Sequence, residues 1–199
     1  MELDPHRSAV LGLHWIRDIV TAEGAFGPMF AKMVETAGVI GSTQRLFAAA
    51  RQAGVPIIYT RVCYRPGYPD LIANGPLLQG VRDAGALVDG EPGAEIIPEL
   101  AAQPGDVVVD HRRITGFSGT DLDTILKARE IDTVLLTGVA TNITVEGTAR
   151  DAVNLGYRTI VISDCTSAAN EAAHEASLGT LGILAECASS SDVIAALKA

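Results

Sequence analysis

At 199 residues, with 48% hydrophobic and 20% charged side chains, the chain has the composition of one ordinary globular domain over residues 1–199, which excludes a disordered protein. The formal net charge of −9, with no Lys/Arg cluster standing out from it, argues against nucleic acid and anionic membrane surfaces and leaves a small molecule as the expected partner. MELDPHRSAV shows no charged-then-apolar leader, and no apolar run approaches the roughly 18 residues needed to cross a bilayer, so the cytoplasm is the expected compartment.

The first strand is expected at Ala9 to His14, followed by a loop around Ala22 to Pro28. A helical pattern begins near Met29 and, after Gly38 to Ser42, continues through Gln44 to Ala53 with Leu46, Phe47 and Ala50 on one side. Gly54 stops it, and Val55 to Val62 reads as the second strand. Tyr64 to Glu91, rich in Gly, Pro and Asn, is the longest irregular stretch, and a connection this long in a compact domain is usually a binding loop or lid. A short helix is expected in Pro92 to Ala102, a third strand at Asp106 to Asp110 with His111, Arg112 and Arg113 directly after it, and a helix from Ser118 to about Arg129.

Asp132 to Val139 is a run of Val, Leu and Thr, the pattern of a strand buried on both faces of a parallel sheet. Gly138 to Thr141, which includes Ala140, must turn the chain at once, and Asn142 or Thr141 can cap a helix carrying Ile143, Val145, Ala149 and Ala152 as apolar positions. Such a turn leaves backbone N–H groups pointing above the strand end, where an anion or a developing oxyanion is held. Thr144 is the side chain best placed to act there. Tyr157 to Asp164, Asn170 to Leu184, Ala185 to Ala188 and Asp192 to Leu197 complete the alternation as strand, helix, short strand and closing helix.

This alternation calls for a three-layer, Rossmann-like α/β domain with a mostly parallel sheet of five or six strands. Ligands of open parallel sheets bind outside the carboxyl ends of the strands, and His14, His111 and Thr144 follow the first, third and fourth strands there. Trp15, Tyr64, Tyr68 and Phe117 lie on loops at the same edge, where aromatics sandwich a planar ligand or simply pack. Arg113 and Arg17 are placed to hold a carboxylate or to form structural salt bridges. Cys63, Cys165 and Cys187 are too few and too scattered for a disulfide framework or a zinc motif and are expected to be buried and inert. His174 and His6 are expected to be solvated or structural.

The segment GVATNITVEGTARDA, Gly138 to Ala152, resembles the GVATNxCVExTARDA hallmark of the isochorismatase-like or cysteine hydrolase superfamily. Arg113 to Asp121 is similar to the family's R-x-S-A-F-x-G-T-D segment, and the likeness extends along essentially the whole chain. In the amidases of this family an Asp ends the first strand, a Lys follows the third and a Cys opens the central helix. Carried over position by position, these fall on His14, His111 and Thr144, and of the D-M-Q-N-D pattern only the second acid, Asp18, remains. The resemblance therefore implies a hydrolase of a small amide, ester or vinyl ether that works without the usual cysteine. In one route Thr144 attacks with a histidine as base. In the other, as in isochorismatases, which lack the cysteine, the substrate is protonated and water admitted, with His14 or His111 donating that proton or orienting the water. The alternative is a catalytically degenerate binding or interaction protein on the same scaffold. Ala140 and the loop aromatics would line the substrate site. No cofactor or metal is expected, since VCYRPGYPDL lacks the further histidine of zinc-bearing nicotinamidases, and by resemblance a homo-oligomer, dimer or tetramer, is expected.

Overall fold

In the computed structural model, which describes residues 1–198, six strands form one all-parallel sheet in the order β3-β2-β1-β4-β5-β6. The strands are β1 (Ser8–Leu13), β2 (Ile57–Val62), β3 (Val107–His111), β4 (Thr133–Val139), β5 (Arg158–Ser167) and β6 (Glu186–Ala188). The helices are α1 (Arg17–Val20), α2 (Gly27–Thr36), α3 (Val39–Gln52), α4 (Pro76–Asp83), α5 (Leu122–Ala128), α6 (Glu146–Asn154), α7 (Glu171–Leu184) and α8 (Ser190–Ala196).

Side chains of a strand alternate between faces, and the fully buried β1 feeds two cores accordingly. Val10, with Leu135 and Ile160, packs against Leu46 and Phe47 of α3 and Val193 of α8. Ala9, Leu11 and Leu13, with Val134, Leu136 and Val161, pack against Leu122 and Leu126 of α5, Ala149 and Ala152 of α6 and Leu181 of α7. These are the outer layers of the expected sandwich. The expected strands and most of the helices form, with ends shifted by a few residues.

Several local expectations are corrected. Tyr64 to Glu91 is not irregular throughout: α4 runs through it, started by Pro76 at a position where a missing N–H costs nothing, and its Leu78 and Val81 are buried in the first core. The helix expected in Pro92 to Ala102 is two single 3-10 turns, Pro92–Ala94 and Pro98–Leu100, because Pro98 holds Ile97 extended (φ −61°, ψ 143°). α5 begins only at Leu122, after Gly119 has turned left-handed (φ 73°). Neither Thr141 nor Asn142 caps the central helix. Thr141–Val145 forms one π-helical turn without a side-chain cap, and the Thr141 hydroxyl meets His174 Nδ1 at 2.9 Å instead. Cys63 and Cys165 are buried, but Cys187 on the edge strand β6 is exposed.

Candidate active site

Gly138 sets the geometry at the carboxyl edge. It pairs with Leu13 across β1 and β4 at φ 135°, and a Cβ there would lie 2.1 Å from the Leu13 carbonyl oxygen. Only glycine lets the two central strands end this close together. β1 stops one residue later at His14, held in the left-handed region (φ 58°) with its N–H bonded to the Thr60 carbonyl. A non-glycine residue there is strained, and the turn re-aims the chain at the strand end.

His14 and His111 start from strands separated by β2, yet their Nε2 atoms meet at 2.9 Å and their rings stack at 4.8 Å between centroids. Thr144 Oγ1 lies 3.4 Å from His14 Nε2. All three side chains are buried. The hydrogen-bond directions follow from one fixed point. His111 Nδ1 lies 3.1 Å from the Arg113 carbonyl oxygen, which can only accept, so Nδ1 carries a proton. In a neutral ring His111 Nε2 is then bare and accepts from His14 Nε2–H. The lone pair of the pair's last nitrogen, His14 Nδ1, is left free. Among the described residues Thr60 Oγ1 is the only wholly buried side-chain polar atom without a partner, so His14 Nδ1, which has none, is accessible.

Both rings are neutral near pH 7. Burial, and next the neighbouring His111, hold His14 well below the usual imidazole range. Burial pushes His111 down to about 4, against a smaller upward pull from the Arg113 carbonyl.

His14 and Thr144 line a narrow pocket of about 60 Å³ together with Tyr64, Arg113 and Ala140. Its remaining walls are apolar, with Ile19, Phe26 and Phe30 on one side, Leu78 and Val81 of α4 on another, and Ile143 of the π-helical turn. His111 stands behind His14 and does not line it. Trp15 and Phe117, expected beside the ligand, face elsewhere: Trp15 is in the first core with its indole N–H on Thr137 Oγ1, and Phe117 stacks on Tyr157 beside the second. Tyr68 packs beside Tyr64 and donates to the Ala86 carbonyl, bracing the 64–91 loop without lining the pocket. Phe26, Phe30 and Leu78 were not anticipated. The signal for Leu78 was the Leu77, Leu78, Val81 spacing after Pro76, which marks an amphipathic turn.

Asp18 accepts from the N–H groups of Leu87 (2.8 Å) and Ala25 (3.3 Å). It fastens the 64–91 loop to α1, and no carboxylate is hydrogen-bonded to either imidazole among the described residues. The ring of free N–H groups expected at the turn is partly consumed, since those of Ile143 and Val145 both go to the Ala140 carbonyl. One group of potential metal donors lies nearby, Cys63, Asp89 and Asp110, but the Arg61 guanidinium already bridges the two carboxylates (3.0 and 2.7 Å), and burial pushes the Cys63 thiol up to about 11. No helix among the described residues is long and apolar enough to cross a membrane.

A family model described as "Isochorismatase domain" matches residues 8–192. The ureidoacrylate amidohydrolase RutB of Pseudomonas syringae pv. syringae is 35% identical over 158 residues, covering 72% of this chain and 64% of that protein. The matched segments span 45 to 64% of the length of these curated relatives. Among solved structures, a cysteine hydrolase from Pseudomonas syringae pv. phaseolicola 1448A superposes with a TM-score of 0.88 at 30% identity, covering 100% of this chain and 95% of that one. N-carbamoylsarcosine amidase from Thermoplasma acidophilum superposes with a TM-score of 0.75 at 27% identity, covering 92% and 96%.

Proposed function

Since the chain belongs to the isochorismatase family, we propose that it hydrolyses an amide-type C–N bond of a small molecule, with water rather than a side chain as the nucleophile. The observation that carries this reading is the direction of hydrogen bonding through the two imidazoles. His14 Nε2 carries the proton it gives to His111, so it is not free to take one from Thr144, 3.4 Å away. The free base is His14 Nδ1, and it takes a proton from water as the hydroxide adds to the substrate carbonyl. The same nitrogen returns that proton to the departing nitrogen as the tetrahedral adduct collapses. His111 touches no substrate and holds the tautomer of His14. Thr144, relieved of the nucleophile's role, donates its hydroxyl proton to the developing oxyanion. Amide chemistry is the choice because two relatives are named for it, a ureidoacrylate amidohydrolase and an N-carbamoylsarcosine amidase.

The test is turnover of a panel of N-carbamoyl compounds and simple amides by the wild type, Thr144→Ala, Thr144→Ser and His14→Asn, with intact-mass analysis during turnover. His14→Asn should lose about 10²–10⁴-fold in kcat. Thr144→Ala should lose about 10²-fold or more while Thr144→Ser restores most of it, with no acyl adduct in any sample. An acyl adduct on Thr144 would overturn the water mechanism. A second reading, ligand binding without turnover, has one observation in its favour: among the described residues neither imidazole is hydrogen-bonded to a carboxylate. A ligand that binds saturably and is recovered unchanged would establish it.

A further inference from the structure

Three arginines lie at the carboxyl ends of β2 and β3, and two have their charge answered. Arg61 pairs with Asp110 and Asp89, and Arg112 with Asp70 at 2.7 Å. Arg113 is different. Its Nη1 donates to the Ile72 carbonyl (2.9 Å) and its Nη2 to the side-chain oxygen of Asn74 (3.0 Å), both neutral acceptors on the 64–91 loop. It forms no ion pair among the described residues, in a chain whose net charge is −9. Among the described residues it is also the only Lys or Arg side chain lining the pocket, the other walls being apolar apart from His14, Tyr64 and Thr144.

An arginine has five N–H donors, and two bonds to the loop leave three, with the whole charge uncompensated. Those two bonds also fix the plane of the guanidinium, so a ligand does not bear the cost of ordering it. We propose that Arg113 is the anion-reading residue of this pocket, and that the substrate is a small carboxylate with a short apolar body carrying the scissile C–N bond. The inference deepens the hydrolase reading and rests on it for the word substrate. The carboxylate meets Arg113, the hydrocarbon body lies against Phe26, Phe30 and Leu78, and the reacting carbonyl faces His14 and Thr144. With both imidazoles neutral, Arg113 supplies the only positive charge in the lining.

Binding, measured apart from turnover, tests it. The probes are 3-methylbutanoate and 3-methylbutanamide, which differ in the charged head alone, titrated calorimetrically at pH 7.5 into wild type, Arg113→Met, Arg113→Lys and His14→Asn. Melting curves establish that each variant is folded. The carboxylate should bind wild type and His14→Asn at least tenfold more tightly than the amide. Arg113→Met should abolish that preference, and Arg113→Lys should keep part of it, since an ammonium answers the charge but not the fork. Equal affinity for the two probes, a preference that survives Arg113→Met, or no saturable binding of either by wild type overturns the proposal. A carboxylate preference that persists in a protein that hydrolyses nothing overturns the hydrolase reading alone.

Discussion

Burying a neutral histidine makes a protein sensitive to acid, and His111 allows the size of that effect to be worked out. In the unfolded chain its imidazole takes up a proton near pH 6.5, whereas in the folded protein, desolvated between β3 and His14, it does so only at about 4. Between these values the unfolded state binds a proton that the folded state refuses, so His111's contribution is fully present above pH 6.5 and is lost as pH falls through that window. Each pH unit inside the window costs about 1.4 kcal/mol, and the whole difference is about 3 kcal/mol. His111→Gln removes the titration and keeps a side-chain donor for the Arg113 carbonyl. His14 is shifted chiefly by its own burial, so it titrates in both proteins and largely cancels in the comparison. Urea unfolding of both at pH 7.5, 6.5, 5.5 and 4.5 gives the difference directly. It should shrink by only about 0.4 kcal/mol between the first two conditions and steeply thereafter, with wild type losing about 2–3 kcal/mol relative to the variant by pH 4.5. A difference that does not change with pH would refute the buried, neutral imidazole and with it the tautomer argument for His14.

Two further substitutions probe the scaffold of the site. Gly138→Ala places a methyl group against the Leu13 carbonyl at a φ that side chains avoid, and should cost on the order of 3 kcal/mol in urea unfolding and depress turnover beyond any loss of folded protein. Thr60→Val removes the one wholly buried unpaired hydroxyl among the described residues at nearly constant shape, and should raise stability by about 1 kcal/mol in the same assay, while a loss would mean the hydroxyl has a partner.

The strands were legible because a chain that alternates apolar runs with helical periods has few folds open to it, and strand ends then mark one edge. That logic brought His14, His111 and Thr144 to the same edge of the sheet. It did not reveal that the two imidazoles touch, because they reach across the end of β2, and reach depends on rotamers rather than spacing. Trp15 went astray for a local reason. The left-handed backbone at His14 breaks the alternation of the strand, and the next side chain turns under the sheet instead of into the pocket. Phe117 was judged by its place on a loop, but it is drawn to Tyr157 on the other face. Helix α4 stayed hidden because its eight residues sit among glycines and prolines and gain their stability from tertiary burial, which local propensity does not report.

The 2.9 Å contact between the two imidazoles also governs how this site can change. Taken alone, His14→Asp would set a buried carboxylate against a bare nitrogen, and His111→Lys would set a buried ammonium against a ring it forces to act as acceptor. Each single step therefore leaves an ionised group without its counter-charge, whereas both together place opposite charges side by side. The two positions are thus coupled, and a double substitution is the smallest step from this neutral pair to a charged one.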